Sequence, residues 1–352
     1  MSTLPATELE ISGQSDDGNG GTYPYEGGNK VISSYSPEES IQLNVPVTDV
    51  EVSGDDFVVV GTDGTLTISD CRDKVISFLD ANGGLLAYAY MTSTGDPVDG
   101  RGISAFEIII GANNQSNLLM ASGSGSSLYG GNGEGVNTLQ GGLGQDTFVY
   151  TDGSGVIRNV STGDKINFGA QYTGFEFTND DILLHSTAGD LLVQSIRDQV
   201  VDVADGDGNF ACHVLMAGSG GTVDGATLSG YEVISGANDS SNVIFAGNYG
   251  SSLYGGNGQL DTLIGGDGED WFMFGYNSGA DTIKGAYSND FINLLGVRMD
   301  DITEINATAG LAKFSLLSGA ELTVDGTNGA GYSIEGKIYD IDVEANRFVE
   351  RT

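Results

Sequence analysis

Basic residues are scarce in this chain: 13 Lys and Arg stand against 49 Asp and Glu, a formal net charge of −36 over 352 residues. With so little positive surface to neutralise phosphates, the composition argues against nucleic acid as a partner and against an anionic membrane surface. It asks instead for cations, because crowded carboxylates repel one another until ions offset them. Cysteine is nearly absent. Cys71 and Cys212 are too few for a disulfide framework and are expected as small buried hydrophobes or as one bridge. His185 and His213, the two histidines, have no metal-spacing partner and are expected to be packed or solvated. Five prolines argue against a Pro-rich linker. No run of 18 apolar residues occurs, so no membrane insertion is expected. The opening Met1-Ser2-Thr3-Leu4-Pro5 lacks the basic and apolar regions of a cleavable signal. No G-x-S-x-G elbow or Ser/His/Asp set stands out, and each part of the chain copies another, so the chain is expected not to be an enzyme.

What is abundant is glycine, 56 residues, roughly twice the ordinary share of about 7%. The glycines punctuate short apolar runs such as Phe57-Val58-Val59-Val60 and Leu191-Leu192-Val193, the pattern of short strands joined by tight turns. The runs repeat. Ser126-Ser127-Leu128-Tyr129-Gly130-Gly131-Asn132-Gly133 recurs identically at 251–258, an offset of 251 − 126 = 125. Gly111-Ala112-Asn113 recurs as Gly236-Ala237-Asn238, Arg72-Asp73 as Arg197-Asp198, and Met91 as Met216. Asp164-Lys165-Ile166-Asn167 corresponds to Asp290-Phe291-Ile292-Asn293 at offset 126. The expected organisation is an N-terminal stub over 1–30, strand-rich parts over 31–110, 156–235 and 282–352, and Gly-rich parts over 111–155 and 236–281.

The strand-rich parts read as hairpins. Asp63-Gly64 between Phe57–Val60 and Leu66–Ile68 is a two-residue turn signal, matched by Ala188-Gly189 and Ala309-Gly310 in the other copies. Asp205-Gly206-Asp207-Gly208-Asn209 looks like the opening of an EF-hand loop, but Phe210 stands where that loop needs glycine, so a plain turn is expected. Apolar residues of the Gly-rich parts recur at turn-like intervals. Leu119, Leu128, Leu139, Phe148 and Ile157 form one series, and Ile244, Leu253, Leu263, Phe272 and Ile283 the other. The middle residue of each three-residue strand should point inward.

Gly265-Gly266-Asp267-Gly268-Glu269-Asp270-Trp271-Phe272 and Gly141-Gly142-Leu143-Gly144-Gln145-Asp146-Thr147-Phe148 both fit G-G-x-G-x-D-x-U, where U is a large apolar residue. On these motifs the chain resembles the RTX, or haemolysin-type calcium-binding, repeat family over roughly a quarter of its length. The resemblance implies an all-β fold in which tandem repeats alternate short parallel β-roll segments with strand-rich hairpin segments. It implies Ca²⁺ between stacked turns, held by carboxylates and glycine carbonyls: Asp261, Asp281, Asp270, Asp146, Gly256, Gly258, Gly266, Gly268, Gly142 and Gly144. It also implies an extracellular or cell-surface bacterial protein exported without a cleavable N-terminal signal. In the second roll Asp261 pairs with Asp281; the first-roll counterparts are Asn137 and Val156, so the rolls should differ in calcium affinity. Asp146 and Asp270 should face Ser126 and Ser251. The alternative is a solenoid held by backbone hydrogen bonds and inward apolar residues alone.

The function expected from this reading is a secreted structural protein that self-assembles into a filament or surface layer. Residues 1–25, with the short strand Thr7-Glu8-Leu9-Glu10-Ile11 and Thr22-Tyr23-Pro24-Tyr25, would act as a head-to-tail connector to a second copy of the chain, or pack on the chain's own first strand-rich part. The alternatives are an adhesin binding glycan or matrix, and the non-catalytic repeat region of a larger secreted enzyme or toxin.

Overall fold

The computed structural model describes residues 9–10, 21–205, 208–258, 260–308, 310–326 and 329–352. Among these residues the chain is all-β apart from one 3-10 turn, Met299–Asp301. It divides into two compact units. The first comprises 1–160, 164–174 and 184–193; the second comprises 161–163, 175–183 and 194–352. Each is a β-solenoid built on the same plan.

In the first unit, Phe106–Ile110, Ser126–Tyr129, Thr147–Tyr150 and Lys165–Phe168 stack in parallel as one sheet. Val98–Asp99, Leu118–Met120, Val136–Gln140, Ser154–Arg158 and Leu191–Val193 stack as a second. The chain alternates between the two sheets, which is the parallel β-roll. The inward series is as expected: Leu119, Leu128, Phe148 and Ile157 are fully buried and Leu139 nearly so. Full burial of each such side chain stabilises the roll by about 1.5–3 kcal/mol. The second unit repeats this with Glu232–Ser235, Ser251–Tyr254, Asp270–Gly275 and Phe291–Leu295 in one sheet. Gly221–Asp224, Asn242–Phe245, Thr262–Ile264 and Ala280–Lys284 form the other. Ile244, Leu253, Leu263, Phe272 and Ile283 line its core.

The strand-rich parts are antiparallel meanders spliced onto a roll sheet. Asp56–Gly61 turns into Gly64–Ile68 with Gly61 opposite Gly64, so the Asp63-Gly64 hairpin is present. Glycine is required there, because a Cβ on Gly64 would lie 2.4 Å from the backbone of Gly28. Ala188-Gly189 lies in the turn between Asp181–Ser186 and Leu191–Val193. The third copy differs from the sequence reading. Ala309 lies outside the described residues, and Gly310 follows it in the turn from Ile302–Thr308 to Leu311–Leu316, the first hairpin of its meander. The hairpin that matches Asp63-Gly64 is the next one, from Leu311–Leu316 to Glu321–Asp325. Inserted residues between the hairpins displace the third copy by one turn relative to the first. Gly206 and Asp207 also lie outside the described residues. Asp205 and Asn209 are bonded to each other, the Asn209 N–H donating to the Asp205 carboxylate at 2.8 Å and the Asp205 N–H to the Asn209 carbonyl at 2.9 Å.

The N-terminal segment is partly used within the chain. Thr22–Tyr25 pairs in parallel with Ser40–Leu43, and Leu9–Glu10 with Lys30–Val31. Tyr25 is fully buried and Tyr23 nearly so. Thr7, Glu8 and Ile11 lie outside the described residues. Cys71 is buried, Cys212 half-buried, and both are free thiols.

Candidate functional site

The stacking of turns explains the glycines of the repeat. A Cβ on Gly142 would sit 1.7 Å from the Ser122 carbonyl, and one on Gly144 would sit 2.1 Å from the Gly125 nitrogen. The second roll repeats both approaches, with 2.0 Å from Gly266 to the Gly247 carbonyl and from Gly268 to the Gly250 nitrogen. Gly256 and Gly258 sit at φ of +103° and +97°, which side-chain-bearing residues rarely adopt. These six glycines let successive turns lie against each other, and that closeness brings acidic side chains into register.

Each roll carries a ladder of acids on one side. In the first it runs Glu107, Ser126, Asp146, Asp164; in the second Glu232, Ser251, Asp270, Asp290. Asp146 and Asp270 do neighbour Ser126 and Ser251. All eight side chains are buried. The hydroxyls of Ser126 and Ser251 donate to Glu107 and Glu232 at 3.2 and 2.8 Å. The backbone N–H groups of Asp146 and Asp270 donate to the carboxylates of Asp164 and Asp290 at 2.9 and 3.0 Å. One oxygen of Asp146 accepts from the Gly142 N–H at 2.7 Å, and one oxygen of Asp270 from the Gly266 N–H at 2.8 Å.

The other side differs between rolls. In the second, Asn242, Asp261 and Asp281 are consecutive rungs. The Asn242 carboxamide donates to Asp261 Oδ1 at 2.8 Å, and the Asp261 N–H to Asp281 Oδ1 at 3.0 Å. In the first, Asn117 donates to Asn137 Oδ1 at 2.7 Å. The rung after Asn137 is Gly155, which pairs with it directly. The expected counterpart of Asp281, Val156, is therefore off by one: Val156 pairs with Thr138. The offset between copies is 126, not 125, at this rung.

Five of the ladder acids leave one carboxylate oxygen bare. Glu107 Oε1, Asp146 Oδ1, Glu232 Oε1, Asp261 Oδ2 and Asp270 Oδ1 are buried without a hydrogen-bond partner. Burial disfavours their charge, and neighbouring acids add to it. Asp146 is pushed up to about 6 by burial and by Asp164. Burial, then Asp290 and Glu232, push Asp270 up to about 7. Asp281 rises to about 8 through burial and then Asp261. Burial also raises Glu107, Glu232, Asp261 and Asp290. Among the described residues, no three His, Cys, Asp or Glu side chains converge on one metal-sized point. A cation here would be held by one or two carboxylates together with backbone carbonyls, an all-oxygen donor set suited to a hard ion. His185 and His213 stand apart, paired with Asp190 and Asp202 at 3.1 and 2.7 Å.

Sequence reasoning missed Glu107, Asp164, Glu232 and Asp290. The signal was there in a double-turn spacing: 107, 126, 146, 164 and 232, 251, 270, 290 step by 18 to 20 residues. The nine-residue motif contains a single acid, so it points to Asp146 and Asp270 alone.

No family model and no curated protein sequence matches the chain. Among solved structures it is similar to the extracellular lipase LipA from Serratia marcescens, at 14% identity and a TM-score of 0.31. The match covers 76% of this chain and 43% of the lipase chain. The expectation that the chain is not an enzyme is corrected on this finding, because the matched protein is an enzyme. No helix among the described residues is long and apolar enough to cross a membrane.

Proposed function

We propose that the chain is an extracellular, calcium-binding β-roll repeat protein of the RTX kind, in which Ca²⁺ supplies the charge that the buried acid ladders lack. The observation that carries this reading is the row of bare, buried oxygens at Asp146, Asp261 and Asp270. A buried carboxylate without a partner is costly unless it is protonated or meets a cation. The residues that would hold the ion are Asp146 in the first roll, and Asp270 and the pair Asp261 and Asp281 in the second, with carbonyls of the turns whose closeness Gly142, Gly144, Gly266 and Gly268 permit. The bound ion contributes electrostatic cross-linking of turns. In this role the protein is a scaffold that is loose where calcium is low and firm where it is high, as outside cells.

Self-assembly is the finer part of the proposal. The strand Val47–Ser53 ends its sheet and pairs on one side only among the described residues, and a free strand edge is a surface for adding another strand. Calcium would lower the repulsion between chains of charge −36. The test is calorimetric titration of chelator-stripped full-length chain with CaCl₂, with MgCl₂ as control, alongside light scattering. Saturable heat with Ca²⁺ and a melting temperature raised by about 5 °C or more are expected. No heat and an unchanged melting temperature at millimolar Ca²⁺ would refute calcium binding. Equal scattering in calcium and in chelator would refute calcium-dependent assembly.

A further inference from the structure

The two units carry the same cleft on the outer face of the roll, lined by none of the ladder acids. In the first it lies beside Val52 and Gly54 of the meander and is lined by Asn113, Tyr129 and Asn132 of the roll. In the second, Phe177 and Asn179 stand at the meander positions, and Asn238, Tyr254 and Asn257 line the roll side. All three roll residues are 125 apart, and each cleft encloses about 210 Å³.

The segments Gly111–Asn113 and Ser126–Gly133, which recur without change, supply these three side chains. Most of their other residues have a visible task in the fold. Ser126 and Ser251 bind the buried glutamates, Leu128 and Leu253 fill the cores, and Gly131 and Gly256 lie against the preceding turn. The asparagines are only half used. Asn113 Oδ1 accepts the Asn132 N–H at 2.9 Å, and Asn238 Oδ1 accepts the Asn257 N–H at 2.9 Å. Asn132 Oδ1 accepts the Thr151 hydroxyl, and Asn257 Oδ1 the Tyr254 hydroxyl, each at 2.5 Å. Their carboxamide oxygens are thus held inward, and their Nδ2 groups donate to no protein atom among the described residues. The tyrosines are half-buried beside them. Tyr254 lies parallel to Phe177 with ring centroids 6.1 Å apart.

We propose that each cleft is a subsite for one ring of a neutral saccharide, so that a chain displays two such subsites. The chemistry is that of an aromatic ring for the C–H face of a sugar beside oriented amide donors for its hydroxyls. Charge narrows the choice. Arg72, on the wall of the first cleft, gives its Nε to Asp55 and its two terminal nitrogens to the Thr92 and Gly54 carbonyls. Arg197 is used up in the same way by Asp180, Ala217 and Asn179. Among the described residues no free cation remains at either cleft, and the net charge of −36 repels anions. Tyr129 stays neutral, its hydroxyl pushed up to about 12 by burial and by Asp49. The volume suits a single ring, below the roughly 300 Å³ at which drug-sized pockets begin.

This inference stands apart from calcium binding, because the clefts and the ladders share no side chain. The experiment titrates calcium-saturated, ¹⁵N-labelled full-length chain with cellohexaose, laminarihexaose and maltohexaose, reading the asparagine side-chain NH₂ signals. Saturable shifts of Asn113, Asn132, Asn238 and Asn257 with at least one probe are expected. Y129A/Y254A should weaken that binding at least tenfold. N132D/N257D keeps each inward acceptor oxygen and removes the donors, so it should fold as the parent and lose at least tenfold as well. No saturable shift with any of the three sugars, or unchanged affinity in N132D/N257D, would overturn the proposal. So would equal shifts from a neutral Gly-Ser peptide, which would make the clefts peptide sites.

Discussion

Replacing Asp270 by Asn should change stability in opposite directions with and without calcium. The carboxyl is fully buried, with one oxygen bonded to the Gly266 N–H and the other bare. Its ionisation is pushed from 3.8 to about 7, by burial first and then by Asp290 and Glu232. Because the folded chain holds this proton more tightly than the unfolded chain, the stability tied to it is full below 3.8 and is lost as pH rises through about 7. At about 1.36 kcal/mol per tenfold the shift is worth at most about 4 kcal/mol, and after relaxation and water entry about 2 kcal/mol is expected. In chelator Asp270 alone should therefore weaken the parent chain by about 2 kcal/mol between pH 4 and 8. D270N keeps an acceptor for the Gly266 N–H and carries no charge, so in chelator at pH 8 it should be more stable by about the same 2 kcal/mol. That is about 4–8 °C in melting temperature for a unit of this size. In calcium the order should reverse, since the parent gains about 2.7 kcal/mol at 100-fold excess over the dissociation constant and D270N does not. Trp271, the single tryptophan, adjoins Asp270 and stacks on Phe291 at 4.6 Å, so its emission reports this unit alone. If D270N is destabilised as much in chelator at pH 8 as in calcium, the carboxylate acts through its hydrogen bond and the ion assignment fails.

Two further outcomes separate the roles assigned above. G266A should cost at least about 3 kcal/mol in both calcium and chelator, measured by denaturant unfolding, because the added carbon meets the Gly247 carbonyl backbone at 2.0 Å; a loss seen only in calcium would mean that the glycine serves the ion and not the stacking. D281N should abolish the proposed calcium site at Asp261 and Asp281 and lower the calorimetric stoichiometry, whereas N137D should raise the affinity of the first roll. Unchanged stoichiometry and affinity in both variants would show that this side of the roll binds no ion.

The fold class was legible because two independent regularities agree. Inward apolar residues at turn-like intervals set the strands, as the burial of Leu128 and Phe272 shows, and glycines between them set the turns. The meander hairpin at Asp63-Gly64 was legible for the same reason, a turn pair between apolar runs. Its third copy was misplaced because turn residues there are Leu317-Ser318-Gly319-Ala320, a four-residue loop without the Asp-Gly pair, while Gly310 offered a decoy. The site was half legible. Asp146, Asp270, Asp261 and Asp281 carry the motif or the spacing and do lie on ladders. Glu107 and Glu232 could not be found from the nine-residue motif, because they lie two rungs before its aspartate and reach the ladder through the parallel register. Gly155 was missed for Val156 because a single inserted residue shifts the copy offset, and in a strand a slip of one residue exchanges inside for outside.

The first roll contains its own comparison between two ways of stacking polar residues in a solenoid. On one side Asn117 and Asn137 form an amide ladder, in which donors meet acceptors: the Asn117 carboxamide reaches Asn137, Gly130 and Ala112 at 2.7–2.9 Å. Neither asparagine leaves a bare buried atom. On the other side Glu107 and Asp146 form a carboxyl ladder, and each leaves one oxygen bare. An amide brings its own donor, so the ladder closes on itself at any pH and in any salt. A carboxylate brings only acceptors, so it closes with a proton or a cation supplied from outside. The second roll has replaced Asn137 by Asp261 and Gly155 by Asp281, which converts its self-sufficient side into one that depends on a supplied charge. The two units should therefore differ in how strongly their stability follows calcium and pH, with the second the more responsive. The Asp281 carboxyl, raised to about 8 beside Asp261, marks where that dependence is strongest.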